Sequence, residues 1–398
     1  MRIAFVSADA TPLDGGHGPA AERGRELAAL AGALAAAGHT VEVFTRRADL
    51  WSAPIVALAP NVNVVQLAAG PPHFVPSTRL PALMDDFAER FVGSCSGGED
   101  YDVLHAVLPL SALAASRLRE RTGIPFVVSG HDRDPPSDSG LAATADRVVA
   151  FDPGERERLI ARYGAGSVRI AMVPAGVDTA AFAPASKAAR ERFGMRSQDF
   201  VVVQRARLER AAGIDVAIRA LAALKRNHGV TARLLVAADT KEVDPAAAAE
   251  LARLRGIAAA CGVAPGVTFA GGGPPAALRE AYTAANAALV LPVDGSPAAP
   301  LEPMACGIPV VAADLGALRW AIQDEVTGYL VPAGDAAAVA ERLARFHRNP
   351  ELGRAYGRAG IRRVRAGHTW RHAAGELARL YASVLAPHHA RLAAAASR

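Results

Sequence analysis

The sequence predicts an α/β protein made of two doubly wound, Rossmann-like domains, and three observations carry that expectation. Short β-branched runs alternate with Ala/Leu/Arg/Glu-rich stretches of helical period almost from end to end. The alternation pauses around Phe182–Lys187, a stretch that reads as a linker, and then begins again. At 398 residues the chain is also longer than one core organises, since a domain averages about 150 residues.

In the first half the expected strands are Ile3–Ser7, Val41–Phe44, Val62–Gln66, Val103–His105, Phe126–Ser129 and Arg147–Phe151. Ala20–Ala37 reads as a helix, with Leu27, Leu30 and Leu34 at helical spacing. Apolar strands followed by amphipathic helices form crossover units, so a parallel sheet covered on both faces is expected. In the second half Phe200–Gln204, Arg233–Val236, Val267–Ala270, Ala288–Leu291 and Pro309–Ala312 read as strands, and Val216–Lys225 as a helix. The alanine-rich tail, Ala374–Ala396, reads as one or two helices packed on the outside. The expected domains are 1–180 and 188–365, with 366–398 packing back toward the first. A small ligand is expected in the cleft between them, at the carboxyl ends of the strands.

Composition narrows the function. Hydrophobic residues make up 51% and charged residues 21%, which is globular. The net charge is +5 without a run of like charges, so the footprint of a nucleic-acid binder is missing and that partner is not expected. Cys95, Cys261 and Cys306 lie far apart and are odd in number, giving neither a disulfide framework nor metal-ligand spacing. A reducing cytoplasm and no metal are the expectations. The apolar start is too short for a signal peptide. The longest uncharged stretches, such as Leu27–His39, fall short of the roughly 18–20 residues of a membrane span, so no anchor is expected.

Four stretches could carry chemistry. Gly15, Gly16 and Gly18 follow the first strand and precede a helix, where bare backbone can approach a ligand or merely make a turn. His131 follows the strand Phe126–Ser129 and would face the cleft, or else cap a surface loop. Arg205, Arg207 and Arg210 stand between a strand and the helix after Gly213, placed to hold a diphosphate or to remain solvated. Asp294 and Glu302, eight positions apart, bracket a loop and a helix start. Carboxylates accept from sugar hydroxyls, while free amides there, at Ala298 and Ala299, suit phosphate. The same two carboxylates could instead serve as a glycosidase pair.

Together these stretches resemble the family-4 retaining glycosyltransferases of the GT-B fold, in which two Rossmann-like domains face each other across a cleft. The resemblance covers nearly the whole chain. It rests on Ala145-Asp146-Arg147, Val173-Pro174-Ala175-Gly176-Val177-Asp178 with Phe182, Gly213-Ile214-Asp215, Leu301 to Asp314, Asp324 to Pro332 and Trp370. The first half is similar to the mycothiol-pathway and sucrose-phosphate-synthase-like branch through Thr45-Arg46-Arg47 and Gly70-Pro71-Pro72. The resemblance implies metal-independent transfer of a hexosyl or N-acetylhexosaminyl group, with retention, from a nucleotide diphosphate sugar to an acceptor hydroxyl. That donor is a co-substrate, no other cofactor is implied, and uridine is the expected nucleoside. Arg207 matches the arginine on the diphosphate, Glu302 the carboxylate on the ribose, and His131 the histidine near the donor sugar.

Four positions depart from the pattern. The family's lysine is Ala212, the first glutamate is Asp294, the Phe-Gly after it is Ser296-Pro297, and the double glycine falls on Gly18-Pro19. Arg205 and Arg210 are the candidates to replace the lysine. Ser77 stands where relatives carry an acceptor-phosphate lysine, with Arg79 close by. A small polar acceptor without phosphate is therefore expected, an aminocyclitol or pseudosugar being one such molecule. The departures also support an alternative: a catalytically degenerate homologue acting as a binding or auxiliary subunit for a protein partner.

Overall fold

The structure, a computed structural model, describes residues 1–13, 19–95, 101–130, 144–163, 169–185, 187–238, 244–270, 272–293 and 296–396. The chain divides into two compact units, Met1–Pro174 with Trp370–Arg398, and Ala175–Thr369.

In the first unit the elements run β1 (Arg2–Ser7), α1 (Pro19–Ala36), β2 (Thr40–Arg46), β3 (Ile55–Ala59), β4 (Val62–Leu67), α2 (Met84–Ser94) and β5 (Val103–Val107). They continue α3 (Ala112–Thr122), β6 (Phe126–Ser129), β7 (Arg147–Ala150), α4 (Pro153–Tyr163) and β8 (Ile170–Met172). The described strands form one eight-stranded sheet in the order β3-β4-β2-β1-β5-β6-β7-β8. All pairs are parallel except β3 with β4. The period of two in β1 explains its two buried faces. Ile3 and Phe5 join a core with Leu27, Ala31 and Leu34 of α1, while Ala4 and Val6 meet Phe87 and Phe91 of α2. β3 escapes the sequence reading because it is an edge strand whose residues are only partly buried and which pairs antiparallel after a turn at Asn61.

The second unit runs β9 (Phe200–Arg205), α5 (Ile214–His228), β10 (Ala232–Ala237), α6 (Pro245–Ala260), β11 (Val267–Phe269), α7 (Pro275–Ala284) and β12 (Ala287–Val290). It continues α8 (Leu301–Ala305), β13 (Val310–Ala313), α9 (Gly316–Ala321), β14 (Gly328–Val331), α10 (Ala336–Arg348) and α11 (Pro350–Gly367). Its six described strands, in the order β11-β10-β9-β12-β13-β14, are all parallel. Val202, Leu234 and Leu289 pack toward Ile214 and Ile218 of α5; Val201, Val203 and Leu235 pack toward Leu278 of α7 and Met304 of α8.

One expectation needs correction. Phe182, at the head of the stretch that reads as a linker, is buried in the second unit's core and meets Tyr282 edge-on at 6.2 Å. The tail is a single described helix, α12 (Trp370–Ala396), and belongs to the first unit. Ala373, Ala374, Leu377 and Tyr381 are buried in the core that β1 and α1 share. Alanine at these positions lets the helix approach closely and form a covering layer of the sheet.

A candidate donor site at the carboxyl end of the second sheet

β9 lies between β10 and β12, so the chain leaves it to one side and returns on the other. Such a switch point opens a crevice at the carboxyl ends of the strands. Arg205 is the last residue of β9, and the loop after it is tied down at four places. Ala206 N–H donates to the Ala237 carbonyl at 3.3 Å. The buried Gln204 side chain donates through Nε2 to the Ala212 carbonyl at 2.8 Å. Val293 N–H donates to the Ala211 carbonyl at 2.8 Å. Gly213 closes the loop with a φ of 69°, and a Cβ there would lie 1.8 Å from the Leu291 carbonyl oxygen. Only glycine fits that place.

Glu302, in the first turn of α8, faces this loop. Its Oε1 accepts from Arg205 Nη1 at 2.8 Å, and its Oε2 accepts from the Tyr282 hydroxyl at 2.8 Å. The side chains of Arg205 and Glu302 are 33% and 17% exposed, so the pair sits at the rim of the unit and one edge meets solvent. Tyr282, on α7, is buried; burial first and the Glu302 charge second push its hydroxyl well above the usual tyrosine range, so it remains a proton donor. Cys306 follows Glu302 by one turn, and burial together with the same carboxylate pushes its thiol up to about 12. At neutral pH it is an uncharged thiol and no nucleophile.

The other expected residues are placed less uniformly. Arg207 donates through Nε and Nη2 to Glu209 Oε1 at 3.3 and 3.0 Å. Arg210 is exposed at the start of the short turn Arg210–Ala212, and its charge helps hold the Glu250 carboxyl below its ordinary value, after the larger effect of Arg253. The Ala298 and Ala299 amides both turn to Ser296, bonding its Oγ at 3.3 Å and its carbonyl at 3.1 Å. His131, Asp294, Gly15, Gly16 and Gly18 lie outside the described residues. The structure thus brings together Arg205 and Glu302, of which Arg205 turns to the carboxylate. Tyr282 and Gln204 complete the arrangement and have no local sequence signal. No group of metal-ligating side chains and no helix long and apolar enough to cross a membrane occurs among the described residues.

The family described as Glycosyl transferases group 1 matches residues 186–363, and a Glycosyl transferase 4-like domain matches residues 24–176. The D-inositol 3-phosphate glycosyltransferase of Acidothermus cellulolyticus is 34% identical over 374 residues, spanning 87% of this chain and 82% of that one. This chain belongs to the group 1 glycosyltransferases. The D-inositol 3-phosphate glycosyltransferase 1 of Catenulispora acidiphila is 32% identical over 405 residues, spanning 96% of each. Sucrose-phosphate synthase from Thermosynechococcus elongatus superposes with a TM-score of 0.81 at 26% identity, covering 97% of this glycosyltransferase and 99% of that chain. HepE of Anabaena, solved in complex with UDP and glucose, shares the fold, with a TM-score of 0.72 at 19% identity over 96% of this chain and 100% of that one. The fold is therefore GT-B, and this glycosyltransferase is an enzyme acting on a nucleotide sugar.

Proposed function

We propose that this glycosyltransferase moves a sugar from a uridine diphosphate donor to a hydroxyl of a small polar acceptor, with retention and without a metal. The observation that carries the reading is Glu302, whose two oxygens are held by Arg205 and Tyr282 at the switch point of the second sheet. A carboxylate fixed in this way is preorganised to accept from two adjacent ribose hydroxyls on its remaining lone pairs. Arg205 and Tyr282 act as positioning residues for it, and Arg207 with Arg210 supplies positive charge to the diphosphate. In the transfer, the anomeric carbon–oxygen bond breaks and its electron pair passes to the β-phosphate oxygen. The acceptor oxygen bonds to the same face of the sugar, and its proton passes to the departing diphosphate. Charge grows on that diphosphate, so Arg207 contributes most in the transition state; loss of one such donor costs about 100- to 1,000-fold in rate. His131 and Asp294 hold the donor sugar beside the reacting centre.

The curated relatives are named for D-inositol 3-phosphate. Ser77, in place of the acceptor-phosphate lysine, supports an unphosphorylated acceptor here, such as an aminocyclitol or pseudosugar. Transfer is tested with UDP-glucose, UDP-N-acetylglucosamine and their guanosine and adenosine counterparts against a panel of cyclitols, with product read by mass spectrometry. Turnover with a UDP donor should disappear in Glu302→Ala and fall about 100-fold in Arg207→Ala. Equal turnover in the parent and both variants would defeat the assignment; tight UDP binding with no product from any acceptor would favour the binding-only homologue.

A further inference from the structure

A stretch nearly without charge lies along the open edge of the first sheet. Between Arg47 and Arg79 the chain runs for 31 residues with one charged side chain, Asp49, where its overall 21% would give about six. The stretch is not buried core. Trp51 is 94% exposed, Phe74 71%, Leu50 62% and Ile55 60%, four of the seven large apolar side chains that stand exposed among the described residues. It contains β3, which ends the sheet: each of its residues is at least partly exposed, and no described strand lies along its outer edge.

The exposed side chains are displayed on loops that are held in place. Arg47 donates through Nε to the Asp49 carbonyl at 3.0 Å and through Nη2 to the carbonyls of Leu50 and Ser52, each at 2.6 Å. Trp51 N–H donates to Asp49 Oδ1 at 2.9 Å, and Gln66 Nε2 donates to the Ala53 carbonyl at 2.7 Å. The buried Arg46 ties the second loop: its Nη1 and Nη2 donate to the carbonyls of Pro71 and His73, each at 2.6 Å. Both loops thus hang on consecutive residues, Arg46 being the last of β2. Groups ordered in advance bind at lower cost, and tryptophan is among the side chains enriched at the energetic centre of interfaces.

Whatever covers this face must suit an apolar surface with almost no charge. Attachment to a membrane surface draws on Lys and Arg for the lipid headgroups, and the single charge here is acidic. A charged peptide or a nucleic acid finds nothing to pair with. A second copy of the chain fits. Interfaces between identical subunits are the more apolar class, with charge depleted at their centre. A strand set beside its own copy across a two-fold axis runs antiparallel and is complementary to itself. β3 carries no charge and no proline within Ile55–Ala59 to block such pairing, and its bulge lies between Ala57 and Ala59, leaving Ile55–Ala57 regular. Trp51 and Phe74 alone offer about 250–400 Å² of the roughly 600–1,000 Å² per partner that a stable interface buries, with Leu50, Ile55 and the strand edge to add to it. We infer that this chain forms a two-fold dimer through the edge of β3, with Trp51 and its neighbours packed on the same residues of a second copy. This inference is independent of the donor and of the acceptor.

The test is sedimentation velocity of the full chain over a dilution series. The parent protein should sediment as a dimer. Trp51→Ser should weaken that dimer about 30-fold or more. Ile55→Lys, which brings like charges together across the axis, should weaken it similarly. Val326→Ser, which alters an exposed apolar residue of the second unit, should leave it at the parent value. Circular dichroism and Tm verify that each variant is folded. A parent that is monomeric at every concentration, or a dimer left at parent strength by either Trp51→Ser or Ile55→Lys, would overturn the inference. So would a loss as large in Val326→Ser. A monomeric parent that sediments with phosphatidylcholine–phosphatidylglycerol vesicles, and ceases to do so in Trp51→Ser, would overturn it by assigning the face to a membrane. Should Ile55→Lys not fold, Trp51→Ser, exposed and outside any strand, decides alone.

Discussion

Replacing Arg205 by Met distinguishes a residue that positions Glu302 from one that grips a phosphate. The ion pair is 2.8 Å long, and its members are 33% and 17% exposed. Exposed pairs contribute about 0.2–1 kcal/mol, and hydrogen bonds to charged groups about 1.5–3 kcal/mol. A pair at the rim belongs between them, at about 1–2 kcal/mol, or about a 5- to 30-fold loss of affinity if all of it reaches the ligand. Because Arg205 acts through Glu302 on the ribose, uridine and UDP should weaken by the same factor. After Glu302→Gln, adding Arg205→Met should cost little more, since residues sharing one interaction are not additive. Calorimetry measures UDP directly and uridine by competition. The reasoning is refuted if UDP weakens tenfold while uridine is unaffected, for that pattern belongs to a diphosphate ligand.

Two further predictions concern the framework. Gly213→Ala should lower stability by about 3 kcal/mol or more, because its Cβ collides with the Leu291 carbonyl at a positive φ. Gly229→Ala, at a φ of 68° with open space around it, should cost only about 1–2 kcal/mol, and chemical denaturation compares the two. In the first unit His105 Nδ1 is paired with the Tyr381 hydroxyl at 2.6 Å, and burial lowers the imidazole to about 3 from 6.5. The unfolded chain therefore takes up this proton first as pH falls below about 6.5, and stability drops by up to about 1.4 kcal/mol per pH unit until about pH 3. Tm measured from pH 7 to pH 4 should fall less steeply in His105→Gln; parallel slopes would contradict this role for the imidazole.

Much of the fold was legible because apolar period is a local property. The buried strands and amphipathic helices of both units fall where the alternation places them, and Gly213 marks a loop that only glycine can close. Elements without a strong local signal were missed. β3 is partly exposed on every residue, and β8 and β14, no shorter than strands that were read, were missed as well. At the site, Glu302 and Arg205 were identified singly, while their relation was not: the partners stand 97 positions apart and meet only when the second sheet is assembled. Tyr282 illustrates the same limit. Its ring reads as a core residue of α7, and its hydroxyl acquires meaning only through the carboxylate it reaches.

The measurement that bears most directly on the account is a crystal structure of this glycosyltransferase with UDP. The ribose hydroxyls should lie on Glu302, with Arg205 and Tyr282 still bonded to that carboxylate and the diphosphate beside Arg207. UDP bound elsewhere, or Arg205 swung away from Glu302 onto the phosphates, would contradict it.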